Sequence, residues 1–398
     1  MLQVPGRKMW QSLPGLLALG AALFLFGCVH VQRTSTPGDE AKTSAAERAI
    51  QPVKHRFAPD PHLAIYQVQV QAAGKRVVLT GWVDSAEAKA ETLAAVTSTG
   101  FEVIDRISVL PAPELGEATW AIASVSTANA RELPAHGAEL GMQVLMGHVV
   151  RVWAQTNGWY FVQSADRYLS WAARGSLVRG TQAEVEAWKN APLLLVTALE
   201  EQVLERPHSE AQPVSEVVTG CLVKRTGEEG EWYQVELPDQ RTGYLPKNAA
   251  EDYAAWQRTR QPTPDAIERT ARTLLGRPYI WGGNSPKALD CSGFTKLTFF
   301  LNGVELDRNA SHQARQGVQI PLDADLSHLR KGDLVFFGTR ARPSRPERVT
   351  HVGIYLGEKL FIHSSDRVRI NSLDPNSPIS DAHRIRTLIS ARRVLPEM

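Results

Sequence analysis

Two stretches of this chain, about 118 to 182 and about 191 to 255, are written to the same plan, and that repetition constrains the fold more than any other feature. Each holds short alternating apolar runs separated by glycine turns, then a Trp-Tyr pair, then a tyrosine near its end. In the first, Asn157-Gly158-Trp159-Tyr160-Phe161-Val162 leads to Tyr168-Leu169-Ser170-Trp171; in the second, Gly230-Glu231-Trp232-Tyr233-Gln234-Val235 leads to Gly243-Tyr244-Leu245-Pro246. Period-two alternation punctuated by glycine is the pattern of short antiparallel strands, and a plan used twice marks divergent repeats. The aromatics are therefore expected to fill two small β cores before they serve any ligand. The 398 residues also exceed one ordinary core, so at roughly 100–150 residues per domain about three folded units are expected.

The beginning of the chain differs in kind. Arg7 and Lys8 precede an apolar run from Leu13 to Phe26, the pattern of an export signal. It stops at Leu25-Phe26-Gly27-Cys28, which resembles the lipobox of bacterial lipoproteins and implies residues 1–28 as a signal with a lipidated Cys28. A plain secretory signal or an uncleaved anchor is the alternative. The expected location is the cell envelope, anchored to a membrane on the periplasmic side of the inner or outer bilayer. Residues 29–57 are rich in Thr, Ser, Ala, Pro and charge and read as a flexible tether. From 58 to 112, two alternating strands, an Ala/Glu/Lys-rich helix from Ser85 to Val96 and a closing strand from Val103 to Leu110 compose a small α+β unit. Its Leu79-Thr80-Gly81-Trp82-Val83-Asp84-Ser85 stretch resembles the BON-like domains of envelope proteins.

Composition excludes some partners. A formal net charge of +2 with no dense basic tract gives no field for nucleic acid. Hydrophobic residues at 43% and charged residues at 22% are those of chains that fold in water. Three cysteines make no disulfide framework. Cys221, within Val217-Val218-Thr219-Gly220-Cys221-Leu222-Val223, reads as a small buried hydrophobe. Cys291 demands another account. Gly282, Gly283 and Pro286 keep the chain irregular until Asp290, and Ser292 to Leu301 then supplies a buried helix, so Cys291 stands at a helix N-terminus. Unsatisfied N–H groups there are expected to favour thiolate and to help hold an oxyanion.

A base is available nearby. His351 lies on the strand Val349 to Leu356, and His363 lies on the following strand, Lys359 to Ser364. Pairing across a Gly357-Glu358 turn is expected to set both rings on one face provided the turn adds no bulge. Cys291 as nucleophile, His351 as base and His363 as the group that orients it make a coherent triad needing no metal or cofactor.

Four segments, Pro278 to Gly283, Asp290-Cys291-Ser292-Gly293-Phe294, Lys331 to Phe337 and His351 to Leu356, together resemble the NlpC-type papain-like cell-wall peptidases. The resemblance covers about 265 to 395 and implies an α+β papain-like domain, with Tyr279 as a hydroxyl donor near the oxyanion. The two repeats resemble bacterial SH3-like barrels. That arrangement is similar to the γ-D-glutamyl-L-diamino acid endopeptidases, which act on murein peptides with a free N-terminal L-Ala and whose first barrel closes one end of the cleft. The resemblance implies acceptors for an ammonium, and the candidates are Glu139, Tyr168 and Asp290, with Ser292, Asn309 and Ser311 adding hydrogen bonds. Where that group often has Asp, this chain has Asn309. Cleavage of intact cross-linked peptidoglycan and a non-enzymatic envelope scaffold are the alternatives.

Overall fold

A computed structural model describes residues 37–396 except 75; the signal and Cys28 lie outside the described residues. The first element is a correction. Residues 29–57 were expected to be a tether, but Pro37–Phe57 is a helix. Composition misleads here because the few apolar residues fall on one stripe: Ala46, Ile50 and Val53 recur at helical spacing and are buried. The stripe packs on the helix Ala86–Thr97 and the strand Tyr66–Ala73, and Arg56 pairs with Glu87 and Glu91 on that second helix. Ser85 caps it by accepting from Ala88 N at 3.2 Å. Beneath the two helices lies a three-stranded sheet, with Arg76–Val83 antiparallel to Tyr66–Ala73 and parallel to Glu102–Val109.

Each of the two repeats forms a seven-stranded antiparallel sheet. In the first, which runs from Trp120 to Gly180, the Trp159–Gln163 strand pairs with Val149–Thr156 and Leu169–Ala173, and its Trp159, Tyr160 and Phe161 are buried. Its core is continuous with Ile65, Leu110 and Leu115 of the N-terminal unit. The second, from Leu193 to Asp252, shares one apolar cluster with the last domain, where Val203, Val235 and Leu245 join Phe294, Leu297 and Phe336. At roughly 1.5–3 kcal/mol per fully buried large side chain, that shared core couples the units into one body. Cys221, fully buried at the turn before Leu222–Glu229, belongs to it.

The last domain opens with the helix Pro264–Thr273. Its cap is Thr263, whose Oγ1 accepts from Ala266 N at 3.2 Å, while Asp265 in the first turn pairs outward with Lys331. A six-stranded antiparallel sheet follows, its central strands being Leu334–Thr339, Arg348–Gly357 and Leu360–Ser365. The helix Cys291–Phe300 lies on these strands with all but Lys296 of its residues buried. Gly293 permits its approach, because a Cβ there would stand 2.0 Å from Gly283 O. The first repeat docks beside that helix through reciprocal bonds: Gln143 N to Asn284 Oδ1 at 2.6 Å, Asn284 N to Gln143 Oε1 at 3.1 Å, and Asn284 Nδ2 to Gln143 O at 2.8 Å.

The docked stripe of the first helix is directly testable. Ile50→Ala should lower the stability of the N-terminal unit by about 2–4 kcal/mol in urea unfolding; a tether would show no change.

Candidate active site

Asp290 builds the site's floor. Its Oδ1 caps the helix by accepting from Gly293 N at 2.7 Å, and its Oδ2 accepts from Gly282 N at 2.9 Å. Arg308 adds a fork, donating to Oδ1 at 3.1 Å and Oδ2 at 2.6 Å, and donates to Ser292 Oγ at 3.1 Å. Both charged residues are buried, with relative exposures of 5% and 2%. Asp290 is thus committed to the helix cap and Arg308, and Ser292 is held in the same network.

Cys291 follows at the first helical position, buried at the bottom of a cleft of about 490 Å³. The expected net fall of its pKa does not occur. Burial and the adjacent Asp290 charge push the thiol up to about 12, against the opposing pull of Val352 N–H, Arg308 and Ser292 N–H. The helix end helps the thiolate, but it is outweighed; a base must remove the proton.

The sheet carries the base that the sequence led one to expect. The turn residues between the two histidine strands are Glu358 and Lys359, both at positive φ (50° and 61°), with Gly357 paired to Leu360. A two-residue turn of that register alone would set residues 351 and 363 on opposite faces. A bulge between Tyr355 and Gly357 shifts the register to Ile354 opposite Ile362, and this brings both rings to one face. The expectation of a bulge-free turn is therefore corrected: the shared face depends on the bulge. Gly353 stands opposite His363 and must be small, since a Cβ would come within 3.2 Å of His363 Cβ and 3.0 Å of Phe361.

His351 Nε2 lies 2.7 Å from His363 Nδ1, and His363 Nε2 lies 2.9 Å from Asn371 Oδ1. Asn371 Nδ2 donates to Ile379 O at 3.1 Å, which leaves its Oδ1 as the acceptor. The chain of donors then has one solution for neutral rings: His363 donates from Nε2 to Asn371, His351 donates from Nε2 to His363, and His351 Nδ1 keeps a free lone pair. Burial, aided by the charge of Arg384, holds His351 well below the usual histidine range. Burial also lowers His363, to about 4, against the hydrogen bond to Asn371 that favours its charged form.

The other candidates divide. Tyr279 is half-buried, and burial, together with the neighbouring Cys291 and Asp290, raises its pKa, so its hydroxyl stays a donor. That hydroxyl makes no hydrogen bond among the described residues. Glu139, Tyr168, Asn309 and Ser311 all line the cleft. Glu139 is exposed and its carboxylate has no hydrogen bond among the described residues, whereas Glu132, unforeseen from sequence, lines the same end and accepts from Tyr168 Oη at 3.3 Å. The two glutamates face each other across a turn, Glu132 N donating to Glu139 O at 3.0 Å. Asn371 was also missed, although its place one step diagonal to His363 on the next strand is the geometric signal for it. Among the described residues no three His, Cys, Asp or Glu side chains gather to hold a metal ion.

Residues 276–387 match the NlpC/P60 family, and residues 131–177 match the bacterial dipeptidyl-peptidase Sh3 domain. The chain is 30% identical over 266 residues to a γ-D-glutamyl-L-lysine dipeptidyl-peptidase of Bacillus cereus, covering 65% of this chain and 76% of that one. It is 28% identical over 273 residues to dipeptidyl-peptidase 6 of Lysinibacillus sphaericus, covering 65% and 93%. The crystal structure of an NlpC/P60 family protein from Bacillus cereus superposes with a TM-score of 0.59 at 26% identity, over 70% of this chain and 100% of that one.

The depressed histidines fix a sign for pH. An unfolded chain binds a proton near pH 6.5 that folded His363 refuses until about pH 4, so stability is complete above the first value and falls as pH drops towards the second. Urea midpoints measured across that window should decline, and His363→Gln should flatten the decline by about one proton's worth of slope.

Proposed function

The chain belongs to the NlpC/P60 family, and from that premise we propose that it is a cysteine peptidase releasing L-Ala-D-Glu from murein stem peptides by cleaving the bond between γ-D-Glu and a diamino acid. The observation that carries this reading is the hydrogen-bonded chain His351, His363, Asn371 on the sheet against which the Cys291 helix packs, with Cys291 lining a cleft that Glu132, Glu139 and Tyr168 also line.

In this reading His351 Nδ1 takes the thiol proton as Cys291 Sγ attacks the γ-carbonyl carbon. The new C–S bond leaves charge on the carbonyl oxygen, where the free Tyr279 hydroxyl and backbone N–H groups at the helix start are available as donors. The protonated His351 gives its proton to the departing amine of the diamino acid, and the C–N bond breaks. Water, deprotonated by the same ring, then hydrolyses the thioester. His363 holds the tautomer throughout, and Asn371 holds that of His363.

At the other end of the cleft, the carboxylates serve as acceptors for the ammonium of a free N-terminal L-Ala. Glu132 suits that role better than Glu139, because it is less exposed and is braced by Tyr168. Asn309 beside them adds an uncharged acceptor. The names of the two similar dipeptidyl-peptidases, one of which specifies a γ-D-glutamyl-L-lysine bond, support this substrate class. The export pattern before Cys28 supports a place in the cell envelope with a lipid anchor at that residue.

The purified full chain is expected to release L-Ala-D-Glu from L-Ala-γ-D-Glu-diamino acid tripeptides, followed by mass spectrometry. Cys291→Ala should lower the rate by at least about 10³-fold, and N-acetylation of the substrate should lower kcat/KM by at least about 10²-fold. Equal turnover of the acetylated peptide would remove the free-amine reading, and residual turnover by Cys291→Ala would remove the mechanism.

A further inference from the structure

The cleft has a wall that neither matched segment contains. His62, from the stretch joining the first helix to the N-terminal sheet, lines the cleft together with Glu132, Gly141 and Tyr168. Its ring lies flat on that of Tyr168, with centroids 5.2 Å apart and planes 9° from parallel. Its Nδ1 is 4.0 Å from Glu132 Oε2.

The backbone there is tied down from two sides. Leu169 N donates to His62 O at 2.8 Å and Gln163 Nε2 donates to Leu63 O at 3.1 Å, both from the first repeat. On the peptidase side, Asp60 Oδ2 meets His312 Nε2 at 2.6 Å, and Asp60 Oδ1 accepts from His62 N at 3.0 Å. His312 is buried one residue past Ser311, which itself lines the cleft. Although burial works against the Asp60 carboxylate, the bonds from His312 and His62 N–H hold it below its ordinary range. Lifting this segment would uncover a buried histidine and strand a carboxylate. The His62 side chain nonetheless keeps 39% exposure, on the cleft side.

We infer that Asp60–Leu63 is the end wall of the substrate cleft and that His62 sets how many residues the cleft accepts beyond the ammonium site. The inference rests on the reading given under Proposed function. A peptide whose ammonium reaches Glu132 has the stacked His62–Tyr168 pair next to it, so one more residue on its N-terminus collides with that stack. The N-terminal unit is then part of the substrate-selecting machinery.

The test compares kcat/KM for L-Ala-γ-D-Glu-diamino acid with that for the same peptide carrying one extra N-terminal Ala, using full-length wild type, His62→Ala and His62→Phe. Wild type should prefer the shorter peptide. His62→Ala should reduce that preference by about tenfold or more, mainly by gain on the longer peptide, and His62→Phe, which keeps a stacked ring, should retain it within about threefold. A purely structural role would lower both rates together and leave the ratio unchanged, and an unchanged ratio in His62→Ala overturns the inference while the proposed function stands. If His62→Ala does not fold, His62→Ser takes its place with the same expected ratio. Wild type that cleaves both peptides equally, or neither, overturns the inference and the free-amine reading together.

Discussion

The buried pair between Asp290 and Arg308 is the interaction on which the rest of the site depends. Asp290 alone joins three pieces of chain: the helix start through Gly293 N–H, the Gly282 turn through its N–H, and the Arg308 loop through a two-pronged fork. Gly282 in turn lies so close to the first repeat that a Cβ would stand 2.2 Å from Leu140 O. The loop after Arg308 carries Asn309 and Ser311 into the cleft. A bare carboxylate buried this deeply would cost several kcal/mol, so the Arg308 fork is what lets a charge cap this helix. The same charge also disfavours the thiolate next to it.

That conflict gives the histidine chain its purpose. With the thiol raised by burial and by Asp290, the proposed mechanism draws its nucleophile from proton transfer to His351, whose Nδ1 keeps the free lone pair. The register bulge puts the rings together, Gly353 leaves room for them, and Asn371 closes the hydrogen-bond chain so that only one neutral tautomer fits. Three features of sheet geometry thus decide the position of one proton.

Much of this was legible in residues alone. The turn glycines before Asp290 and the apolar run after it place Cys291 at a helix start, and the Trp-Tyr repeats give two β units, because both signals are local and periodic. What escaped was set by long-range contact. Residues 37–57 look polar until Ala46, Ile50 and Val53 are seen against the sheet that covers them. Counting residues between His351 and His363 cannot reveal a bulge. Glu132 and Glu139 are equivalent in sequence until Tyr168 braces one of them. The net direction of the Cys291 pKa turns on burial, which no helix-end argument contains. His62, more than a hundred residues from the nearest cleft residue other than the two glutamates, Gly141 and Tyr168, owes its place to Asp60 reaching His312 across 252 positions of chain.

In the proposed mechanism Cys291 rests as a thiol and is activated by His351. Its alkylation by iodoacetamide, resolved by peptide mass spectrometry from about pH 5 to about pH 10, measures the thiolate fraction without substrate. With the thiol pushed up to about 12, the rate should climb across the whole range with no acid plateau. A high, flat rate already established near the acid end would show a preformed thiolate and contradict the account.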